Sequence, residues 1–121
     1  MLVARRSGLL LLADATAVGA ACADLVVRHR ETVMVARTLG QQAGVTTFGL
    51  KAAGWLTALD ESTATLREAI RGRLAVQLGG AAGTLGVLGQ AGPPVVARLA
   101  TLLELAEPTV PWHTDRKRIL D

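Results

Sequence analysis

The chain has 121 residues, of which half are apolar, only 2% are aromatic and none is tyrosine. This length suits one domain, and an apolar fraction built from Ala, Leu and Val favours helices. The net charge of +3 is small and is not gathered on one face, so it does not indicate a nucleic-acid-binding protein. The single cysteine, Cys22, excludes an intramolecular disulfide and a cysteine-based metal site, and we expect it to be a small buried apolar residue.

The first predicted element is a long helix near residues 3–36. Apolar residues recur on one face at steps of three and four: Leu11, Ala15, Val18, Cys22, Leu25 and Val26. Arg5 and Arg6 before an apolar stretch also imitate a signal peptide, but Asp14 and Asp24 interrupt the apolar runs. We therefore expect a buried helix in a cytoplasmic protein, with a targeting signal as the alternative.

A polar stretch separates this helix from the next one. Its polar residues are Arg37, Thr38, Gln41, Gln42, Thr46 and Thr47. Gly40 and Gly44 punctuate the stretch and predict a bend in the backbone, because glycine is costly inside a helix. The bend either faces a ligand or is simply a solvated loop between two helices.

A second long helix is predicted near residues 47–75, with Thr46 or Thr47 as its N-terminal cap. Its apolar face repeats over many turns: Phe48, Ala52, Trp55, Leu59, Thr63, Leu66, Ile70 and Leu74. Two long helices with such faces favour an all-α fold in which they run antiparallel as members of a bundle.

A glycine-rich stretch follows between Gly79 and Gly92. It lacks the Lys-Ser or Lys-Thr ending of a phosphate loop, so its small residues are expected to let backbones approach each other or a ligand. Two prolines then begin a third helix, predicted near residues 93–105. A fourth is predicted near residues 113–121, with Thr114 or His113 close to its cap.

Three stretches together resemble 3-carboxy-cis,cis-muconate cycloisomerase, a family within the fumarase, aspartase and adenylosuccinate lyase superfamily. The first runs from Arg37 through Thr46-Thr-Phe-Gly-Leu-Lys51 to Leu56. The second is Val76-Gln-Leu-Gly-Gly-Ala-Ala-Gly-Thr84, and the third is Pro111-Trp-His-Thr-Asp-Arg-Lys-Arg118. Thr46–Lys51 alone suits adenylosuccinate lyase equally well, and the second and third stretches favour the cycloisomerase.

The resemblance implies that residues 1–121 are part of a central helical-bundle domain of a cytoplasmic homotetramer. Each active site in such enzymes is built from three subunits. It also implies a tricarboxylate substrate, 3-carboxy-cis,cis-muconate, which closes to a muconolactone on the protocatechuate branch of aromatic degradation. We expect no cofactor, no metal, no nucleic acid and no membrane among the partners.

Thr38 and Gln41 match the positions at which superfamily members present a hydroxyl and an amide to a substrate carboxylate. Many members have a catalytic His directly after that Thr, where this chain has Leu39. Leucine cannot move protons, so no catalytic residue is assigned. The simpler interpretation is that Thr38 caps or bridges a loop and that Gln41 is an exposed loop residue.

The other expected substrate-binding residues are Thr84, His113 and Arg116. Gly83 and Thr84 match the glycine-rich turn that approaches the site in the resembling family, and Arg116 matches an arginine after Pro-Trp-His-Thr. For His113, the simpler interpretation is a residue at the start of a helix.

The superfamily's mobile loop, Gly-Ser-Ser-x-Met-Pro, which carries the catalytic Ser, does not occur in these 121 residues. Whole members are several times longer, so we expect a truncated gene product, a fragment or a split subunit that is inactive alone. Two alternatives remain. One is a non-catalytic helical oligomerisation module, and the other is a fragment of an adenylosuccinate-lyase-like enzyme.

Overall fold

The computed structural model describes residues 1–120, and most of them are helical, as the sequence predicts. The helices and strands, in chain order, are α1 (Leu2–Arg28), β1 (Val33–Thr38), β2 (Gln41–Thr47), α2 (Phe48–Glu68), α3 (Gly92–Leu103) and α4 (Lys117–Leu120). A wider π-helical turn at Ala69–Arg73 continues α2, and a short 3₁₀ turn at Gly89–Ala91 precedes α3.

The chain divides into two units. The hairpin unit is Leu10–Leu66, and the glycine-rich unit combines Met1–Leu9 with the chain from Arg67 onward. In the hairpin unit, a Cβ on Gly49 would lie 2.8 Å from the Cα of Arg30, and one on Gly19 would lie 3.7 Å from the Leu59 side chain. Residue numbers fall along α1 as they rise along α2, so the two helices run antiparallel, as predicted.

The face of α1 that is covered agrees with the predicted one in part, since Ala15, Cys22, Leu25 and Val26 are buried or half-buried. Residues at heptad-like spacing are buried or half-buried: Gly8, Leu12, Ala15, Gly19, Cys22 and Val26. Leu11 and Val18, which were predicted for the covered face, are 55% and 51% exposed. Helix α1 is therefore partly covered among residues 1–120, and Cys22 is buried as predicted.

Helix α1 is also long and apolar enough to cross a membrane, judged by length and composition. This is weak evidence, because the core helix of a soluble protein and a signal sequence can meet the same criterion.

The predicted helix near residues 3–36 ends at Arg28, and the expected bend is a β-hairpin. β1 and β2 pair antiparallel and form a two-stranded sheet. The sequence reasoning missed β1 because Val33, Met34 and Val35 are apolar and fit a helix pattern as well as a strand. The cap prediction is confirmed, since Thr47 Oγ1 accepts a hydrogen bond of 3.2 Å from the backbone N–H of Leu50.

The core of the glycine-rich unit lies between α3 and the irregular chain before it. Val76, Val96 and Ala100 are buried there, and Leu side chains on both segments pack against them. The two prolines stand in the first turn of α3, as predicted.

The last helix begins later than predicted. α4 starts at Lys117, and the rest of the predicted helix from residue 113 is a turn; residue 121 lies outside the described residues. The side chain that caps this end is Asp115, not Thr114 or His113. Its Oδ1 accepts a hydrogen bond of 3.0 Å from the backbone N–H of Lys117.

Candidate functional site

Two of the predicted binding residues face each other at the tip of the hairpin. Thr38 ends β1, Gln41 begins β2, and the two are directly paired across the strands. Side chains of such a cross-strand pair lie on the same face, about 5 Å apart at Cβ. The hairpin therefore presents a hydroxyl and a carboxamide side by side, which the sequence alone did not predict.

The turn between them is tight and strained. Leu39 and Gly40 form it with φ angles of +49° and +77°. Two residues with positive φ match the right-handed twist of a hairpin, which is why Asn-Gly is the favoured pair at such turns. Leucine in this region costs about 1–2 kcal/mol, and Leu39 is 100% exposed, so no contact within residues 1–120 compensates for the strain.

The side chains of Thr38 and Gln41 are open to a ligand. Both residues are exposed, and neither side chain makes a hydrogen bond among the described residues. Thr38 can donate an O–H and Gln41 an N–H to one carboxylate. A solvated turn, the simpler interpretation of these residues, would show the same openness.

In the glycine-rich unit, Trp112 anchors the segment that carries His113. The indole Nε1–H of Trp112 donates a 2.8 Å hydrogen bond to the carbonyl of Val76, and its backbone N–H donates one of 2.8 Å to Gln77 Oε1. The Trp112 side chain is buried. These bonds hold the C-terminal segment against the start of the glycine-rich stretch.

His113 lies directly against the glycine-rich turn. A Cβ on Gly83 would be 2.9 Å from the His113 Cε1, and Gly83 has a φ of +76°. Only glycine satisfies both conditions without strain. Thr84 follows at once and lines, with Gly83 and Glu107, a cavity of about 250 Å³. The prediction that small residues here permit close approach is confirmed.

Arg116 has a less defined place than predicted. Its side chain is exposed, and within residues 1–120 only its carbonyl is engaged, by the backbone N–H groups of Ile119 and Leu120. Arg118 is the more constrained neighbour. Its guanidinium lies 6.0 Å from the Trp112 ring centroid and donates to the carbonyl of Arg73 at 3.2 Å. The sequence pattern did not predict that contact.

The predicted residues thus form two groups, one in each unit. Thr38 and Gln41 are paired in the hairpin unit, while Thr84 and His113 flank Gly83 in the glycine-rich unit. Among residues 1–120 there is no group of three His, Cys, Asp or Glu side chains placed to hold a metal ion.

The profile of a family described as Lyase matches residues 2–119 of the chain. The match covers nearly the whole chain, so the chain belongs to this lyase family. Fold and motifs agree with that assignment, since the helical segment carries the glycine-rich turn and the Pro-Trp-His-Thr stretch in the expected order.

Among curated relatives, the chain is 50% identical over 99 residues to the 3-carboxy-cis,cis-muconate cycloisomerase of Bradyrhizobium diazoefficiens, covering 82% of this chain and 22% of that protein. It is 46% identical over 132 aligned positions to the nitrosuccinate lyase of Streptomyces davaonensis, covering 100% of this chain and 27% of that protein. Among solved structures, the 3-carboxy-cis,cis-muconate lactonizing enzyme of Pseudomonas putida superposes with a TM-score of 0.92 at 38% identity, covering 98% of this chain and 27% of that one.

The resemblance inferred from the three motif stretches is confirmed by these matches. The chain spans about a quarter of the length of the relatives it matches. The activity, substrate and assembly of a whole enzyme therefore belong to the proposal that follows.

Proposed function

We propose that this chain is a segment of a cycloisomerase that converts 3-carboxy-cis,cis-muconate to a carboxymuconolactone in protocatechuate degradation. The observation that carries the proposal is the open Thr38–Gln41 pair at the hairpin tip. Similarity to cycloisomerases supports it, and the positions proposed to bind carboxylates fall within residues 2–119, which match the lyase family.

The role that we propose for this chain is to bind a carboxylate of the substrate. A carboxylate between Thr38 and Gln41 would accept one hydrogen bond from the hydroxyl and one from the amide, and hydrogen bonds to a charged acceptor are about twice as strong as neutral ones. Lactone formation also needs a proton donor and a group that stabilises developing negative charge. Leu39 supplies neither, so we assign binding, and not proton transfer, to the hairpin.

The test follows the loss of the diene's ultraviolet absorbance as the lactone forms. We expect no turnover by the 121-residue chain alone. We expect turnover after mixing with a separately expressed segment that carries the Gly-Ser-Ser-x-Met-Pro loop, and we expect Thr38→Ala to reduce it by about tenfold or more. Thr65→Ala, an exposed position on α2, is the matched control.

Failure of every mixture to form lactone would reject the proposal. Turnover of nitrosuccinate by the same mixture would favour a different lyase reaction, since the nitrosuccinate lyase matches the whole chain. Turnover of adenylosuccinate would favour a fragment of an adenylosuccinate-lyase-like enzyme, the alternative that the Thr46–Lys51 stretch suits.

A second candidate function is a helical oligomerisation module, and the exposed face of α1 favours it. Leu10, Leu11 and Val27 on this helix are 63%, 55% and 78% exposed. Apolar surface of this extent commonly marks an interface. We propose that copies of this chain associate through the long helices in the cytoplasm, as a homotetramer in the full assembly.

Analytical ultracentrifugation tests this association. We expect a dimer or tetramer that dissociates when Leu10 and Leu11 are both changed to Lys, and no change with Thr65→Lys on α2. A folded monomer at all concentrations would overturn the proposal. Recovery of the wild-type chain in the membrane fraction would show instead that lipid covers α1.

A further inference from the structure

Two cationic side chains, those of Arg37 and Lys51, line a groove beside the hairpin. It has a volume of about 350 Å³, and Arg37 of β1, Thr46 of β2 and Lys51 of α2 line it. Met34, Val35 and Ala36 form its apolar wall. All of these residues belong to the hairpin unit.

The charge distribution along the chain makes this arrangement unusual. Between Glu31 and Asp60 the only charged residues are Arg37 and Lys51, and both are positive. The fold brings them to one groove, although they are on different elements. No acidic side chain from the hairpin or from the first turns of α2 is available to neutralise them.

Neither cation has an anionic partner among residues 1–120. The ion pairs of that part of the chain are Arg5–Glu104 and Arg30–Glu31. The Lys51 ammonium lies 5.8 Å from the centroid of the Trp55 ring, a contact that restrains the side chain without satisfying its charge. The donors of Arg37 and Lys51 therefore remain free for a ligand.

We propose that this groove is a second carboxylate-binding subsite, with Arg37 and Lys51 as its cationic anchors and the Thr46 hydroxyl as a further donor. The guanidinium of Arg37 can bind a carboxylate through two parallel hydrogen bonds. The ligand class is an aliphatic polycarboxylate.

This inference rests on the proposed function for its ligand class and extends it to another carboxylate. A substrate with three carboxylates needs more anchors than the Thr38–Gln41 pair provides. Arg37 is adjacent to Thr38 in β1, so the subsite and the hairpin tip are positioned by the same strand.

The experiment titrates the 121-residue chain with tricarballylate and follows the backbone amide signals of Arg37, Thr46 and Lys51 by NMR. We expect the wild-type chain to show saturable chemical-shift changes. The affinity for tricarballylate that they give should fall by about tenfold in Arg37→Gln and in Lys51→Gln, as the loss of one charged hydrogen bond predicts. Arg98→Gln, an exposed arginine of the glycine-rich unit, makes the same change in net charge and should leave the affinity unchanged.

Absence of saturable shifts, or equal affinity in Arg37→Gln and wild type, would overturn the inference. Inorganic phosphate is the comparison ligand, and equally tight binding of phosphate would overturn the assignment to carboxylates. The titration needs no turnover, so its failure is distinguishable from failure of the lactone assay.

Discussion

The hairpin tip and the Trp112 segment place candidate binding residues in opposite ways. Thr38 and Gln41 meet across a two-residue turn, and their position depends on neighbours in the chain. His113 is placed by contacts from residues 30 or more positions earlier, through Trp112 with Val76 and Gln77 and through its own contact with Gly83.

The difference shows where each group is vulnerable. A hairpin tip keeps its local geometry as long as its strands stay paired, so its weak point is the base where β2 joins α2. The Trp112 segment is held by contacts with distant residues, so its position depends on each of those contacts. Substitutions at glycines in the two regions should therefore separate these two modes of positioning.

The largest expected effect is at the base of the hairpin. A Cβ on Gly49 would lie 2.8 Å from both the Arg30 Cα and the His29 carbonyl oxygen, and backbone atoms cannot move aside as a side-chain tip can. We expect Gly49→Ala to lower the free energy of unfolding by about 3 kcal/mol. Urea unfolding at fixed protein concentration measures it.

Gly54→Ala in the same helix is the control for Gly49→Ala. No atom lies within 4 Å of its added Cβ, so we expect a gain of about 0.5–1 kcal/mol from helix propensity. Similar unfolding midpoints for the two variants would show that the base of the hairpin is not tightly packed.

A smaller effect is expected at the turn that contacts His113. Gly83 and Gly80 both have positive φ, at +76° and +69°, but only Gly83 has a neighbour within 4 Å of the added Cβ. We expect Gly80→Ala to cost about 1 kcal/mol from backbone strain alone, and Gly83→Ala about 2 kcal/mol because the His113 ring must also move.

Combining Gly83→Ala with His113→Ala tests the origin of that difference. Removing the ring should recover the extra 1 kcal/mol or so, as expected for two residues in direct contact. Equal costs for Gly80→Ala and Gly83→Ala would mean that His113 is not held against the turn.

The smallest expected effect is a stabilisation at the hairpin tip. Leu39 has a φ of +49°, and Asn tolerates this region better than Leu. Leu39→Asn should raise the free energy of unfolding by about 0.5–1 kcal/mol, whereas β-branched Leu39→Val should lower it. A loss of stability in Leu39→Asn would indicate that the exposed leucine makes a contact with another copy of the chain.

Sequence reasoning predicted the helical fold and missed the one sheet, for a reason visible at β1. Val33–Ala36 is short and apolar, and a run of this length fits the end of a long helix as well as a strand. The turn signal at Gly40 was recognised, but its non-glycine partner, Leu39, concealed a two-residue hairpin that normally carries Asn or Gly. The pairing of Thr38 with Gln41 could not be predicted without that hairpin.

The sequence by itself determined the long antiparallel helices, a threonine cap at the start of α2, the prolines that begin α3 and the family resemblance. These features depend on periodicity, on neighbouring residues or on motifs in fixed order, all of which are local properties of the chain. Only the tertiary structure decided how much of the predicted face of α1 is covered, that Thr47 and not Thr46 caps α2, that Trp112 bonds to Val76, and that Arg37 and Lys51 line one groove. Those outcomes depend on contacts between distant residues, and a one-dimensional pattern does not specify which distant surfaces meet.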